Sequence, residues 1–306
     1  MVHAETAKRT LTIGSRGSQL ALWQARHVAA RLDALSVSTR IIIIKTTGDH
    51  LQTASLTQAG GKGLFTKEIE EALLEGAIDV AVHSLKDLPT DTPAGLTIAA
   101  IPEREDARDA VVGRRLEDLT QGARVGTSSS RRGAQLLAMR PDLDIQPIRG
   151  NVDTRLRKLR EGQFEAIVLA AAGLRRLGLE GEIAESFAPE RVCPAPGQGA
   201  LAIETRQGGA GFDLCAELDH DATREAVSCE RAILAGLGGG CQLPMGAFAE
   251  TRGEMLEAMA VVLSPDGSRS VKSRGRRERQ TAEELGRAIA EDLIAQGALA
   301  ILAESK

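Results

Sequence analysis

Aromatic residues are scarce: the 306-residue chain has no tyrosine, one tryptophan and five phenylalanines. A core built from it must be aliphatic, and the stacking platforms that hold single-stranded nucleic acids are nearly missing. There is no positive surplus for phosphate backbones either, since the formal net charge is −4, so nucleic acid is not an expected partner. Cysteine is sparse. Cys193, Cys215, Cys229 and Cys241 form no C-x-x-C pair, and a chain of this length needs no disulfide staples, so reduced thiols in a cytoplasmic protein are expected. The histidines, at 3, 27, 50, 83 and 220, share no metal-ligand spacing with one another or with the cysteines, and no metal is expected. The first residues, MVHAETAKRT, lack the apolar stretch of an export signal, and no later run approaches membrane-spanning length; a soluble, unexported protein with no membrane partner is the expectation.

What is present is aliphatic: 42% of residues are hydrophobic, enough for two or three cores at this length. LTIGS (11–15) reads as a strand feeding, through SRGS, a helix whose Ala21, Ala25, Val28, Ala29 and Leu32 keep helical spacing. Ile41 to Ile44 reads as a strand buried on both faces of a parallel sheet. After the loop GGKGLF comes a helix with Ile69, Ala72 and Leu73 on one face, and then a buried strand from Ile78 to Val82 that ends in HSLKDLP. This β-α-β-α-β order implies an open, mostly parallel sheet. The design repeats: strand ARVGTSS, helix from about Arg131 to Arg140, strand DIQPIRG, helix from about Asp153 to Glu161, strand AIVLAAAG. From about Asp221 the pattern changes to a helix, a glycine-rich loop and antiparallel strands with a PDG turn at 265–267. A last helix follows, with a Thr281/Glu284 capping box and Gly297 as its C-cap. The fold class is α/β, with two similar lobes and a small α+β C-terminal domain. The second lobe begins near Pro102, where the charged run EREDARD interrupts the hydrophobic pattern. It ends near PAPGQGA (194–200), which reads as a hinge or crossing point.

In open parallel sheets the ligand crevice lies at the carboxyl ends of the strands, and here those ends carry cations and hydroxyls. Arg16 and Ser18 follow the first strand, and Lys62 lies in the GGKG loop. Ser84, Lys86 and Asp87 follow the third strand, and Thr127, Ser128, Ser129, Arg131 and Arg132 open a helix. Arg149 and Arg155 bracket RGNVDTR, and Arg176 follows AAAGL. Between Arg124 and Arg176 there are eleven Lys and Arg against five Asp and Glu, although the whole chain is acidic. Cations at a helix N-terminus oppose its dipole by up to about 1 kcal/mol, so Arg131 and Arg132 are badly placed for helix stability and well placed for an anion. Arg157, Lys158 and Arg160 read instead as a solvated helix face. The expected ligand is a small molecule with several negative groups.

Asp87 is the exception, a carboxylate next to Lys86. Among cations it is expected to stay ionised and to stabilise positive charge developing on a substrate, or to move protons; taken alone it is equally a turn residue ahead of Leu88-Pro89. His83 beside it reads as a packed strand-end residue more readily than as a proton carrier. In GLGGGCQLPMG (236–246) the glycines Gly238, Gly239 and Gly240 leave room around the Cys241 sulfur, and Pro244 fixes the exit. A lone cysteine is more often a small apolar filler beside a glycine-rich helix end.

The segments GSRGSQLALWQ, KTTGD, GGKGLFTKEIE, DVAVHSLKDLPT, EREDARDA, VGTSSSRR, RGNVDTRL, AAAGLRRLGL, PAPGQGA and GGGCQLPMGA together resemble the porphobilinogen deaminase (hydroxymethylbilane synthase) family, from about Leu11 to Ala303. The resemblance implies two lobes like those of periplasmic binding proteins, the first discontinuous, and a third domain. The boundaries become 1–101 with 200–219, 102–199, and 220–306. It implies a covalent dipyrromethane cofactor held by a thioether to Cys241. It also implies a transferase activity: four porphobilinogen units are joined head to tail with loss of ammonia, through an electrophilic azafulvene, and hydrolysis releases the linear tetrapyrrole hydroxymethylbilane. By the same resemblance Asp87 is the catalytic carboxylate. Arg16, Ser18, Lys86, Arg131, Arg132, Arg149, Arg155 and Arg176, with Ser84, Thr127, Ser128 and Ser129, take carboxylate arms of cofactor, substrate or growing oligopyrrole chain. Lys62 and Phe65 fall on a mobile loop, and the enzyme is a monomer. The competing expectation is a non-catalytic two-lobed anion-binding or sensor protein, which leaves Asp87 and the GGGC loop unexplained.

Overall fold

The structure, a computed structural model, describes residues 10–47, 66–239 and 243–304. It groups into two compact units: the described residues of Met1–His83 with Asp91–Pro102 and Leu201–His220, and those of Ser84–Thr90, Glu103–Ala200 and Asp221–Lys306.

In the first unit a five-stranded sheet has the order Thr39–Ile43, Leu11–Ser15, Val80–Ser84, Leu201–Arg206, Leu96–Ala100. Leu11–Ser15 pairs in parallel with Thr39–Ile43 and Val80–Ser84, whereas Leu201–Arg206 runs antiparallel to Leu96–Ala100. The helix Gln19–Ala34 starts at Ser18, whose Oγ accepts from the Ala21 N–H at 3.3 Å, and it buries Ala25, Val28 and Leu32 against Leu11, Ile13, Val80 and Ile203. A run spaced at three and four residues presents one such face. The helix Lys67–Leu74 buries Ile69 and Leu73. The isoleucine run is not doubly buried, contrary to its reading as an interior strand: Thr39–Ile43 stands at one end of the described sheet with Ile43 59% exposed. An end strand has one lateral neighbour, and aliphatic content alone does not distinguish it from an interior strand.

The second unit holds two sheets. One has the order Asp144–Gln146, Arg124–Gly126, Ala166–Ala170, Asp109–Gly113, Ile183–Ser186. Its first three strands are parallel, and Asp109–Gly113 runs antiparallel to both neighbours. The helices Ser130–Met139 and Val152–Arg160 follow Arg124–Gly126 and Asp144–Gln146. They are capped by the side chains of Ser129 and Asn151, the residue types that satisfy the orphan N–H groups of a first turn. The other sheet is the antiparallel meander Met245–Arg252, Met255–Leu263, Ser270–Glu278. Its inward residues Ala247, Ala249, Leu256, Ala258, Ala260 and Val262 pack with Ile233 and Leu237 of the helix Asp221–Gly236 and its end, and with Leu285, Ile289 and Leu293 of the helix Ala282–Ala295. At the PDG turn Gly267 takes φ +72°, and a Cβ there would lie 2.4 Å from the Ala134 carbonyl oxygen, so the turn packs against the helix Ser130–Met139.

The expected capping box does not form. Thr281 begins the last long helix, but its hydroxyl donates to the Glu278 carbonyl at 2.8 Å and makes no cap bond. Its φ of −102° and ψ of 30° differ from the extended backbone that turns a cap side chain toward the first turn. Gly297 adopts φ +95°, one residue beyond the C-cap Gln296, and opens the short helix Ala298–Ala303.

Candidate functional site

The carboxyl ends of the parallel strands Arg124–Gly126 and Ala166–Ala170 meet a buried charge cluster in the second unit. Asp109, fully buried at the start of its strand, accepts from Arg131 Nη1 at 2.6 Å through Oδ2 and from Arg132 Nε at 2.8 Å through Oδ1. Arg131 Nη1 also reaches the Cys193 carbonyl at 2.6 Å, and Arg132 Nη1 the Val168 carbonyl at 3.0 Å. Burial alone would raise the Asp109 carboxyl, but the two guanidinium charges, with hydrogen bonds from Arg131 and Gln198, outweigh it and hold it well below the usual carboxylate range. The cations at this helix start therefore have an anion inside the chain. Nothing in the charged run EREDARD had marked its last residue as buried.

Gln198, of the PAPGQGA segment, is fully buried and extends the cluster. Its amide nitrogen donates to the Ala107 carbonyl at 2.7 Å and to Asp109 Oδ1 at 2.9 Å; its amide oxygen accepts from Lys86 Nζ at 3.2 Å and Arg132 Nη2 at 3.4 Å. Lys86 is half-buried. Burial, then repulsion from Arg132, pushes its ammonium down to about 8 against the pull of Asp87 and Asp109. Arg155 is brought down to about 10 by burial and by Arg132, and its Nε donates to the Gly150 carbonyl at 2.8 Å. Arg176, also down to about 10 through burial against the pull of Glu105, donates to the Gly199 carbonyl at 2.6 Å.

Asp87 ends a single 3₁₀ turn, Leu85–Asp87, and is exposed. The turn is held by the Leu85 N–H on the Ala200 carbonyl at 3.0 Å and by the Leu88 N–H on the Leu85 carbonyl at 3.1 Å. Gly197, at φ +74°, permits this approach: a Cβ there would lie 3.0 Å from Leu85 Cγ and 3.3 Å from the Lys86 nitrogen. The PAPGQGA segment is fixed from its other side by Glu230, which is fully buried. Glu230 accepts from both terminal nitrogens of Arg104, at 2.7 and 3.1 Å, and from the Gly197 and Ala249 N–H groups at 2.7 and 2.8 Å. Asp109, Gln198, Arg104 and Glu230 were not singled out from the sequence. The glutamine in PAPGQGA was the available signal, since a polar side chain in a hinge of small residues needs partners once buried.

Thr127 is buried, and its Oγ1 accepts from the Ser129 N–H at 3.2 Å; Ser128 Oγ donates to the Ile148 carbonyl at 2.7 Å. Arg149 is half-buried near the same strand ends, and its carbonyl accepts from Lys158 Nζ at 3.3 Å. Ser84, half-buried, closes the strand before the Asp87 turn. Arg16 and Ser18 belong to the first unit, where Ser18 serves as a helix cap and Arg16 is half-buried. Lys62, Phe65 and Cys241 lie outside the described residues. The other three cysteines are free and buried; burial pushes the thiols of Cys215 and Cys229 up to about 12 and that of Cys193 higher. His83 lies buried in the first unit with Nε2 3.2 Å from Glu204 Oε2, which favours packing over proton delivery. Among the described residues no group of His, Cys, Asp and Glu could hold a metal ion, and no helix is long and apolar enough to cross a membrane.

Two family models cover nearly all of this chain: the porphobilinogen deaminase dipyromethane cofactor binding domain over residues 11–212, and the porphobilinogen deaminase C-terminal domain over residues 224–295. The chain belongs to the porphobilinogen deaminase family. A porphobilinogen deaminase of Geobacter metallireducens is 49% identical over 303 residues, 97% of this chain and 95% of the relative. One from Chromobacterium violaceum is 48% identical over 299 residues, 96% of this chain and 97% of its own. The solved methionine-binding protein MetQ covers 68% of the chain with a TM-score of 0.42 at 12% identity, a likeness too distant to bear on the site. Membership of the family brings a test of fit for its cofactor. Among the described residues Arg132 repels both Lys86 and Arg155, Arg131 also repels Lys86, and Asp87 and Asp109 pull on Lys86. Cations that burial and mutual repulsion disfavour suit a dipyrromethane, in which each pyrrole ring carries two carboxylate arms.

Proposed function

We propose that the cation cluster around Lys86, Arg132 and Arg155 receives carboxylate arms of the cofactor, substrate and growing chain, that Asp87 is the catalytic carboxylate, and that Cys241 is the point of attachment. The enzyme is a transferase of tetrapyrrole biosynthesis, a hydroxymethylbilane synthase: four porphobilinogens are joined head to tail, each with loss of one ammonia, and water releases the linear tetrapyrrole. When bound, the dipyrromethane supplies the pyrrole α-carbon to which the first aminomethyl carbon is joined as its C–N bond breaks and the α-carbon's proton leaves. Positive charge develops on the substrate pyrrole as ammonia departs, and an exposed carboxylate on a turn pinned at both ends can accept its N–H and stabilise that charge. Each added ring brings two more carboxylates, whose repulsion the guanidinium forks offset. Arg131 and much of Arg132 are already engaged by Asp109, so in this reading they stiffen the floor of the site, while Lys86, Arg149, Arg155 and Arg176 take the arms.

The single observation that carries the reading is the surplus of half-buried and buried cations beside Asp87, in a chain whose cofactor-domain match spans residues 11–212. A non-catalytic anion binder would use the same cations but leaves the family match without purpose. Three domains, 1–101 with 200–219, 102–199 and 220–306, are supported by the presence of one sheet in each. The reading takes the enzyme as a cytoplasmic monomer acting without nucleic acid or membrane. Intact mass spectrometry tests the attachment: the purified chain should carry a covalent dipyrromethane that Cys241→Ser lacks, and an unmodified, inactive wild-type chain overturns the assignment. Asp87→Ala should keep the fold and the covalent group yet make almost no hydroxymethylbilane; near-normal turnover removes Asp87 from the chemistry.

A further inference from the structure

Immediately after the Asp87 turn the chain runs Leu88-Pro89-Thr90. Leu88 is extended, with φ −80° and ψ 135°, as the residue before a proline must be. Three successive carbonyls here point to one side chain. Arg231, on the helix Asp221–Gly236, donates from Nη1 to the Leu88 carbonyl at 3.3 Å, and from Nη2 to the Pro89 carbonyl at 2.7 Å and the Thr90 carbonyl at 3.1 Å. A planar guanidinium is the only side chain with enough rigidly set donors for three such acceptors, whereas an ammonium lacks the fork. A second contact comes from the residues that follow the same helix: at Gly239, with φ +67°, a Cβ would sit 3.1 Å from Thr90 Oγ1. Gly239 lies two residues before Cys241. The helix is itself well anchored, since Cys229, Glu230 and Ile233 are fully buried beside Arg231.

We infer that Arg231 is a positioning residue for the reaction: it clamps the Leu88–Thr90 strap to the helix that leads into the Cys241 loop, and so fixes the Asp87 carboxylate relative to the element that carries the growing chain. This rests on the roles of Asp87 and Cys241 proposed above. With the Ala200–Leu85 bond holding the front of the turn, Arg231 is the restraint on its rear. Releasing it lets the carboxylate wander by the order of an ångström, and a misplacement of that size costs about 10²-fold in rate. Arg231 bonds the strap backbone, and the carboxylate arms are assigned above to other cations, so substrate affinity is predicted to stay.

The test compares purified holoenzymes of wild type, Arg231→Ala and Arg231→Lys. The Ala variant should carry the dipyrromethane mass, keep KM for porphobilinogen within about twofold, and lose about 10²-fold in kcat. Millimolar methylguanidinium should restore part of that loss while leaving the wild type unchanged, and the Lys variant should fall between. A wild-type kcat in the Ala variant, or a loss that matches its unfolded fraction and responds to neither methylguanidinium nor lysine, overturns the inference. If the Ala chain does not fold, Arg231→Gln, which keeps a two-donor amide, is read in the same way against the same outcomes. An active wild type with an equally active variant refutes only the role of Arg231; a wild type that makes no hydroxymethylbilane overturns the functional reading as well.

Discussion

Replacing Asp109 by Asn is the sharpest probe of how the cluster beneath the site is held. The side chain stays nearly isosteric and can still accept hydrogen bonds through one oxygen, but the charge that Arg131 and Arg132 share is gone, and both guanidiniums are over nine-tenths buried. Removing one partner of a buried ion pair costs about 3–5 kcal/mol, because the remaining charge is uncompensated. Here one carboxylate serves two cations and also accepts from Gln198, which puts the expected loss at about 4 kcal/mol or more. If the second compact unit, which holds Asp109, unfolds as one, that corresponds to a fall of roughly 8–16 °C in Tm. Urea denaturation followed by far-UV circular dichroism, with thermal melts alongside, measures it. A further Arg131→Met substitution should recover part of the loss, since it removes an unpaired charge, and the double-mutant cycle gives the coupling. The pH dependence has a fixed sign. The Asp109 carboxyl is held below its unfolded value, so its contribution is full above about pH 4 and is lost as pH falls through the folded value. Wild type should therefore lose more stability on acidification than the Asn variant. An Asn variant within about 1 kcal/mol of wild type at pH 7, with the same acid limb, refutes Asp109 as the counter-ion.

Lys86, pushed down to about 8, loses its charge as pH rises through that value, so KM for porphobilinogen should climb above about pH 8 and Lys86→Arg should flatten the climb; the same shift makes folding stability rise from about pH 8 towards pH 10, because the unfolded chain holds that proton more tightly. Gly197→Ala should lower kcat, since the added methyl meets Leu85 and Lys86 at φ +74°; Gly162→Ala, at φ +76° with nothing within 4 Å, controls for backbone strain alone, and equal effects of the two refute the packing argument. With Cys193, Cys215 and Cys229 buried, a thiol reagent applied to the folded chain should label one sulfur in cofactor-free protein and none in holoenzyme; rapid labelling of two or more contradicts the burial.

The alternation of helices and strands was legible because the parallel strands and their crossover helices are local patterns, and the cations at the strand ends were legible because they oppose helix dipoles. The strands Leu96–Ala100, Asp109–Gly113, Ile183–Ser186 and Leu201–Arg206 were not singled out. Their pairing is antiparallel and distant, as with Ile203 opposite Ala100 and Asp109 opposite Ala170, and short apolar runs between charges do not announce such partners. EREDARD read as a break in the hydrophobic pattern where the second lobe begins, but Arg104 and Asp109 within it are anchors whose partners, Glu230 and Arg131 with Arg132, lie far along the chain. Charge in a sequence speaks for solvent only until a buried counter-charge is found. Arg131 and Arg132 show the same limit from the other direction: the anion their position called for is, in part, supplied by the chain itself.

The burial of three thiols has a consequence for how the cofactor can be acquired. Joining a cofactor through a thioether, as proposed above, exposes the chain to a carbon electrophile, and a soft sulfur is the natural trap for such a species. Cys193, Cys215 and Cys229 sit in aliphatic packing with thiols that hold their protons far above neutrality, so none presents the thiolate that would react. The fold acts here as a chemist's protecting group: it renders these three thiols inert, so that an electrophile reaching the folded chain is not spent on them.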